Sequence, residues 1–181
     1  MDDAQKEPVD EGELEVVREK ALELLALREH SRKELMEKLL RRKFPRDLAD
    51  RVGRDLATCG LLDDARFARN LVRSRLRSRP CGERGLVSLL RTKGIAPEDA
   101  KDAVREVMGE EEVDEEEVAR KLLHARLGGK KPDEKALARA GNLLLRRGFD
   151  ARVVRKIIKE YGHPDMPVEL EEESEDLRDQ E

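Results

Sequence analysis

Aromatic residues are almost absent from this chain: three Phe, one Tyr and no Trp, or 2% of 181 residues. Few large flat side chains mean thin hydrophobic contacts, and little is left over to stack on nucleic-acid bases. Strand-favouring aromatic and β-branched residues are scarce beside Leu, Ala, Arg, Glu and Lys, which excludes a β-rich fold. Cysteine is limited to Cys59 and Cys81, too few for a disulfide framework and not spaced as a redox pair. No apolar run approaches the ~20 residues that a membrane span needs. The acidic start Met1-Asp2-Asp3-Ala4 does not read as a secretory leader, so a cytoplasmic location is expected. The three His (His30, His124, His163) and two Cys show no zinc spacing, and Gly128-Gly129-Lys130-Lys131 lacks the spacing and hydroxyl of a phosphate loop. No nucleophile–base pair stands out. The expectation is a protein without catalysis, metal or cofactor.

Charge is what the chain has in quantity. Asp, Glu, Lys and Arg form 44% of it, with a net charge of −4. That modest total hides an asymmetry. Residues 1–13 carry one Lys against six acids, and 164–181 carry Arg178 against nine, which leaves the span between them at +9. A basic body with acidic ends suits a polyanion binder. The two ends hold too little apolar surface to offset ordering entropy and are expected to be disordered.

Within the body a unit recurs three times. Ala21, Ala68 and Ala119 are each followed seven residues later by an arginine: Arg28, Arg75 and Arg126. A Leu-Leu-Arg triplet recurs at 39–41, 89–91 and 144–146, followed by Phe44, Ile95 and Phe149. Apolar positions at helical spacing continue beyond each. Repeats of about fifty residues follow, each of three helices. Ser31 with Glu34 forms a capping box, Pro45 and Pro97 set up third helices, and Asp63 or Asp64, Asp114 and Asp150 can cap others. The expected fold is all-α: three tandem three-helix repeats at 14–60, 61–109 and 110–163. Together they would make an elongated, curved helical-repeat body between acidic tails at 1–13 and 164–181. Units this small should share interfaces with their neighbours.

The segment 66–93 is +8, with Glu83 its sole acid, and 126–159 is also +8; between them 97–117 is −9. Arg66, Arg69, Arg73 and Arg77 fall at i, i+3, i+7 and i+11. They form a ridge without acidic partners at helical spacing on the same helix, a pattern expected to attract an anionic partner. Arg79, Arg84, Arg91 and Lys93 extend that basic segment, and Arg146 and Arg147 end a second helix in the next. Alternating basic and acidic stripes suit a partner of both charge signs, such as a protein filament that carries DNA, at least as well as naked DNA, and these ten residues are the candidate contacts to it. Arg28, Arg75 and Arg126 are expected instead to be structural, packing their stems and bonding carbonyls or an acid of the next helix.

Three stretches are similar to the RecX family: Leu61-Leu62-Asp63-Asp64-Ala65-Arg66-Phe67-Ala68 with Val72-Arg73-Ser74-Arg75, Ala26 to Leu35, and Leu90 to Ile95. They occur in the family's order and span about 20–160. The resemblance implies a modular three-helix repeat protein that binds RecA recombinase within the RecA–DNA filament. It also implies that the protein limits filament assembly, recombination and ATPase activity. A monomer is expected, with weak direct single-stranded DNA binding beside the filament contact. The competing expectation is a helix-turn-helix-like protein that reads DNA directly, since basic second helices could enter a major groove.

Overall fold

The computed structural model describes residues 11–128 and 132–161. Among the described residues there are nine helices and no strand. They are α1 (Glu11–Leu27), α2 (Arg32–Arg41), α3 (Arg46–Thr58), α4 (Asp64–Ser78), α5 (Glu83–Thr92), α6 (Pro97–Glu110), α7 (Glu115–Leu127), α8 (Glu134–Arg146) and α9 (Ala151–Tyr161). The acidic tail 164–181, His163 and Gly129-Lys130-Lys131 lie outside the described residues, as do 1–10. Residues 11–13, expected in the N-terminal tail, are instead the first turn of α1. Glu11 and Glu13 sit there beside unpaired N–H groups, where the helix dipole favours negative charge.

The helices gather into two compact units, as far as the residues are described. One takes in Met1–Ser74 and Leu89–Val107, the other Arg75–Ser88 and Met108–Glu181. In the first, Leu14, Val17, Ala21 and Leu24 of α1 recur at i, i+3, i+7 and i+10 and pack against Leu35 and Leu39 of α2 and Leu48, Val52 and Leu56 of α3. In the second, Ala119 and Leu123 of α7 meet Ala140 and Leu144 of α8 and Val154, Ile157 and Ile158 of α9, with Phe149 closing the cluster. The middle three helices contribute residues to both units, so repeat boundaries and compact units do not coincide.

Local chemistry sets most helix ends. Ser31 caps α2, its Oγ accepting the Glu34 N–H at 3.1 Å. Asp114 caps α7 through the Glu116 N–H, one residue earlier than the box spacing suggests, and Asp150 accepts the Arg152 N–H at 2.7 Å. Pro97 is the first residue of α6, where its missing N–H costs nothing. Asp133, which the sequence reading passed over, caps α8 by accepting the Ala136 N–H at 2.6 Å.

Each second helix ends in the same corner. Its last turn is closed by Phe44 N–H to Leu39 C=O, Ile95 N–H to Leu90 C=O and Phe149 N–H to Leu144 C=O, at 3.1–3.3 Å. The residue before each of these donors has positive φ: Lys43 (66°), Gly94 (87°) and Gly148 (75°). This geometry corrects the repeat register. Leu39, Leu90 and Leu144 are the equivalent, fully buried positions, at 0–1% exposure. Aligning the Leu-Leu-Arg triplets therefore slips the middle repeat by one residue, about 100° around the helix. Arg91 is the equivalent of Leu40 and Leu145, not of Arg41 and Arg146.

The corners also join consecutive repeats. The Ser31 hydroxyl, at the start of α2, donates to the Lys93 carbonyl at the end of α5 (2.6 Å). The Gly82 N–H, at the start of α5, donates to the Arg147 carbonyl at the end of α8 (3.0 Å). Lys93 and Arg147 are the same position in the corner. Each junction thus satisfies a helix C-terminal carbonyl that its own helix leaves open. Lys33 adds a bond to the Thr92 carbonyl at 3.2 Å.

Candidate polyanion and filament interface

The α4 ridge is less naked than its spacing suggests, because its carboxylates come from other helices. Arg66 Nε donates to Glu29 at 2.7 Å, and its Nη1 to the Gly60 carbonyl at 3.1 Å. Arg69 lies 3.7 Å from Glu106, and Arg77 lies 3.2 Å from Glu111. Arg73 Nη1 reaches Asn70 at 3.5 Å and has a further partner. Arg66 is thereby a clamp between the α1–α2 connection and α4: Asn70 reaches the other oxygen of Glu29 at 2.8 Å, and Asp64 accepts the Arg32 N–H at 2.7 Å.

Lys93 is also a pin within the fold. Its Nζ donates to Glu34 at 2.7 Å while Arg28 Nη1 donates to the other Glu34 oxygen at 3.0 Å. Burial opposes the Glu34 charge, yet the bonds from Arg28 and Lys93 hold its carboxyl at about 2. The Glu34 side chain, expected to reach back to the α2 N-terminus, is spent on these two cations instead. Arg84 lies 3.0 Å from Asp150. Arg79, Arg91 and Arg146 are exposed; Arg147 is half-buried with an unpartnered Nε.

The three repeated arginines are not alike. Arg28 is exposed yet bonded to the Glu29 carbonyl at 2.7 Å as well as to Glu34. Arg75 is half-buried with an unpartnered Nε and lies against Cys81, whose thiol burial pushes up while Arg75 opposes the shift. Arg126 is exposed near the end of α7, so the expected partial burial fails at Arg28 and Arg126 and holds at Arg75.

A cationic face that the sequence reading did not single out lies on α9. Val154, Ile157 and Ile158 turn inward, and Arg152, Arg155 and Lys159 are exposed at i, i+3 and i+7. Two ion pairs fasten this helix to α7: Lys156 to Glu116 at 2.6 Å and Arg120 to Glu160 at 3.1 Å. Glu160 is the one acid of α9, and Arg120 occupies it. Among the described residues Arg152, Arg155 and Lys159 therefore have no carboxylate partner. Their spacing was visible in the sequence; the compensation of α4 was not.

A cavity lined by Arg32, Ala57, Gly60, Leu62, Asp63 and Asp64 contains two carboxylates. Asp63 accepts the Arg66 N–H at 2.9 Å, the chief reason its carboxyl is lowered, and Asp64 accepts that of Arg32. Among the described residues no group of His, Cys, Asp or Glu is arranged to hold a metal ion, and no helix is long and apolar enough to cross a membrane.

Among the described residues His30 is the one buried titratable ring, 2% exposed. Its Nδ1 lies 2.9 Å from the Arg28 carbonyl, and its Nε2 has no partner. Burial lowers its pKa; Arg28 and Lys38 add to this, and the carbonyl bond and Glu34 oppose it. A histidine lowered in the folded state gives its full stabilisation above the ordinary value near 6.5, and loses it as pH falls below that. Glu34 follows the carboxylate rule: its contribution holds above the ordinary value of 4.5 and is lost as pH falls toward 2. The melting temperature should therefore drop between pH 7 and 5, before Glu34 titrates. In the His30→Asn variant that drop should largely disappear; an unchanged drop would place the acid sensitivity elsewhere.

Tandem three-helix units, joined corner to cap, define an all-α helical-repeat protein. Residues 18–52 match the model of the first three-helix domain of RecX, and 63–104 that of the second. The chain is 41% identical to the regulatory protein RecX of Halorhodospira halophila over 142 residues, covering 78% of this chain and 85% of that one. It is 35% identical to the regulatory protein RecX of Prosthecochloris aestuarii, covering 78% and 90%. The chain belongs to the RecX family of regulatory proteins. The crystal structure of RecX from Lactobacillus salivarius shares the fold, with a TM-score of 0.64 at 23% identity, covering 83% of this chain and 97% of that one.

Proposed function

We propose that this chain regulates the RecA recombinase by binding RecA and the RecA–DNA filament, limiting filament assembly and with it recombination and ATPase activity. It acts in the cytoplasm as a monomer, without cofactor or catalysis, through three-helix units at 11–60, 61–109 and 110–163. Family membership supports the partner. The observation that carries the contact surface is the set of cations without a carboxylate partner among the described residues: Arg152, Arg155 and Lys159 on α9, with exposed Arg146 at the corner before it. Arg79 and Arg91 add exposed charge on the middle repeat. Arg66, Arg69, Arg73, Arg77, Arg84 and Lys93 can take part only by exchanging an internal partner, so their contribution is smaller. Arg28 and Arg75 position their neighbours.

Co-sedimentation of the full chain with RecA filaments on single-stranded DNA, beside free RecA and bare DNA, tests this reading. Retention by filaments well above retention by bare DNA supports it. Binding to bare DNA alone, equal with and without RecA, would favour a direct DNA-binding protein.

A further inference from the structure

We infer that Arg41, Arg42 and Lys43, at the corner where α2 turns into α3, form a second cationic surface that holds the phosphodiester backbone of a single nucleic-acid strand. All three are exposed, and among the described residues none has a carboxylate partner. The same corner positions in the other repeats are committed inside the fold. Lys93, the equivalent of Arg42, is tied to Glu34, and Arg147 is half-buried with its carbonyl taken by the Gly82 N–H. Gly94 and Gly148, the equivalents of Lys43, leave no room for a side chain. A Cβ on Gly94 would lie 2.5 Å from Lys33 Cβ, and one on Gly148 would fall within the radii of Gly85 N and Cα. Residue 43 instead carries a long cationic side chain at a φ of 66°, a conformation that strains every L residue. Packing does not account for it: the Lys43 side chain is exposed and makes no described hydrogen bond or ion pair.

A helix C-terminus ordinarily repels anions. Here its own arginines cover it: Arg41 Nε donates to the Glu37 carbonyl at 3.3 Å and Arg42 Nη1 to the Lys38 carbonyl at 3.0 Å. Both guanidinium groups keep further N–H donors for a ligand, and Lys43 keeps its ammonium. The corner suits phosphates better than an acidic protein. A protein interface is built around an apolar centre, and residues 37–46 expose no large apolar side chain. With no exposed aromatic there to stack on bases, the contact is to backbone and independent of base sequence. Cations on three consecutive residues reach neighbouring phosphates of one strand and supply no second row for a strand across a groove. The inference depends neither on RecA nor on the α9 surface.

Two variants of the full chain test it, through fluorescence anisotropy of a labelled oligothymidine at low salt without RecA. The triple variant Arg41→Gln, Arg42→Gln and Lys43→Gly should keep native helicity and bind about tenfold more weakly or worse. Its log–log salt dependence should be shallower by about two, the share of three phosphate contacts on a single strand. Lys43→Gly alone should bind severalfold more weakly while its Tm equals or exceeds that of the wild type, because glycine relieves the left-handed strain. A purely structural lysine would move stability down and leave affinity alone. Wild-type affinity and salt slope in the triple variant overturn the inference, as does a Lys43→Gly variant that melts lower than the wild type. A triple variant that keeps the strand but loses RecA free of DNA also overturns it, and makes the corner a protein contact.

Discussion

Gly148→Ala is expected to destabilise the second compact unit by roughly 3 kcal/mol or more, the sum of overpacking and left-handed strain. The added methyl would meet backbone, Gly85 N and Cα, rather than a side chain that can rotate away. Relief requires the α8 corner to withdraw from the start of α5, which breaks the Gly82–Arg147 bond and exposes the pocket holding Phe149. Gly60 supplies the control: it too has positive φ, 70°, but open space around it. Gly60→Ala should cost only the backbone strain, about 1 kcal/mol. Urea unfolding followed by circular dichroism separates the two. Equal losses at both positions would mean that the corner is not held by close approach.

Charge reversal on α9 should have the largest effect on binding. Arg152→Glu, Arg155→Glu and Lys159→Glu together replace with anions three cations that have no carboxylate partner among the described residues, and touch no described hydrogen bond of those side chains. Helicity and melting temperature should hold while affinity for filaments on single-stranded DNA falls by two orders of magnitude or more, as expected when several phosphate contacts become repulsive. The matching change on α4, Arg69→Glu, Arg73→Glu and Arg77→Glu, sets Glu against Glu106 and Glu111. It should lower stability more than the α9 change and cost less binding at temperatures where the protein stays folded. Strong loss from α4 with native stability, and none from α9, would return the contact to the ridge. A phosphate contact also requires that raising salt narrow the gap between wild type and α9 variant.

The fold was legible where the signal is local. Ser31, Asp114 and Asp150 cap helices because a short acceptor in that place has few other uses, and Pro97 opens a helix because proline fits that position and few others. The repeat was also visible, but its register was not. Leu89-Leu90-Arg91 looks like Leu39-Leu40-Arg41, yet the corner bond and burial select Leu90, one residue later. The two helices are equally long, and the Leu-Leu-Arg motif sits one residue earlier in α5 than in α2; the positive φ at Gly94 marks the true register. The site was harder. Spacing along α4 reports neighbours on the same helix, and Glu29, Glu106 and Glu111 lie 34–37 residues away in sequence. Likewise Glu34, a capping-box residue by its sequence, is held by Lys93 from 59 residues on. What composition called a bare ridge is a set of internal clamps, and among the described residues Arg152, Arg155 and Lys159 on α9 have no carboxylate partner.

The most direct test of the central claim is the ATPase activity of RecA as it assembles on single-stranded DNA, followed while the full chain is titrated in. Hydrolysis should fall in a saturable way as the chain approaches the concentration of filament. The α9 charge-reversal variant should need far more protein for the same fall. RecA hydrolysis that stays unchanged at saturating wild-type chain would contradict the account.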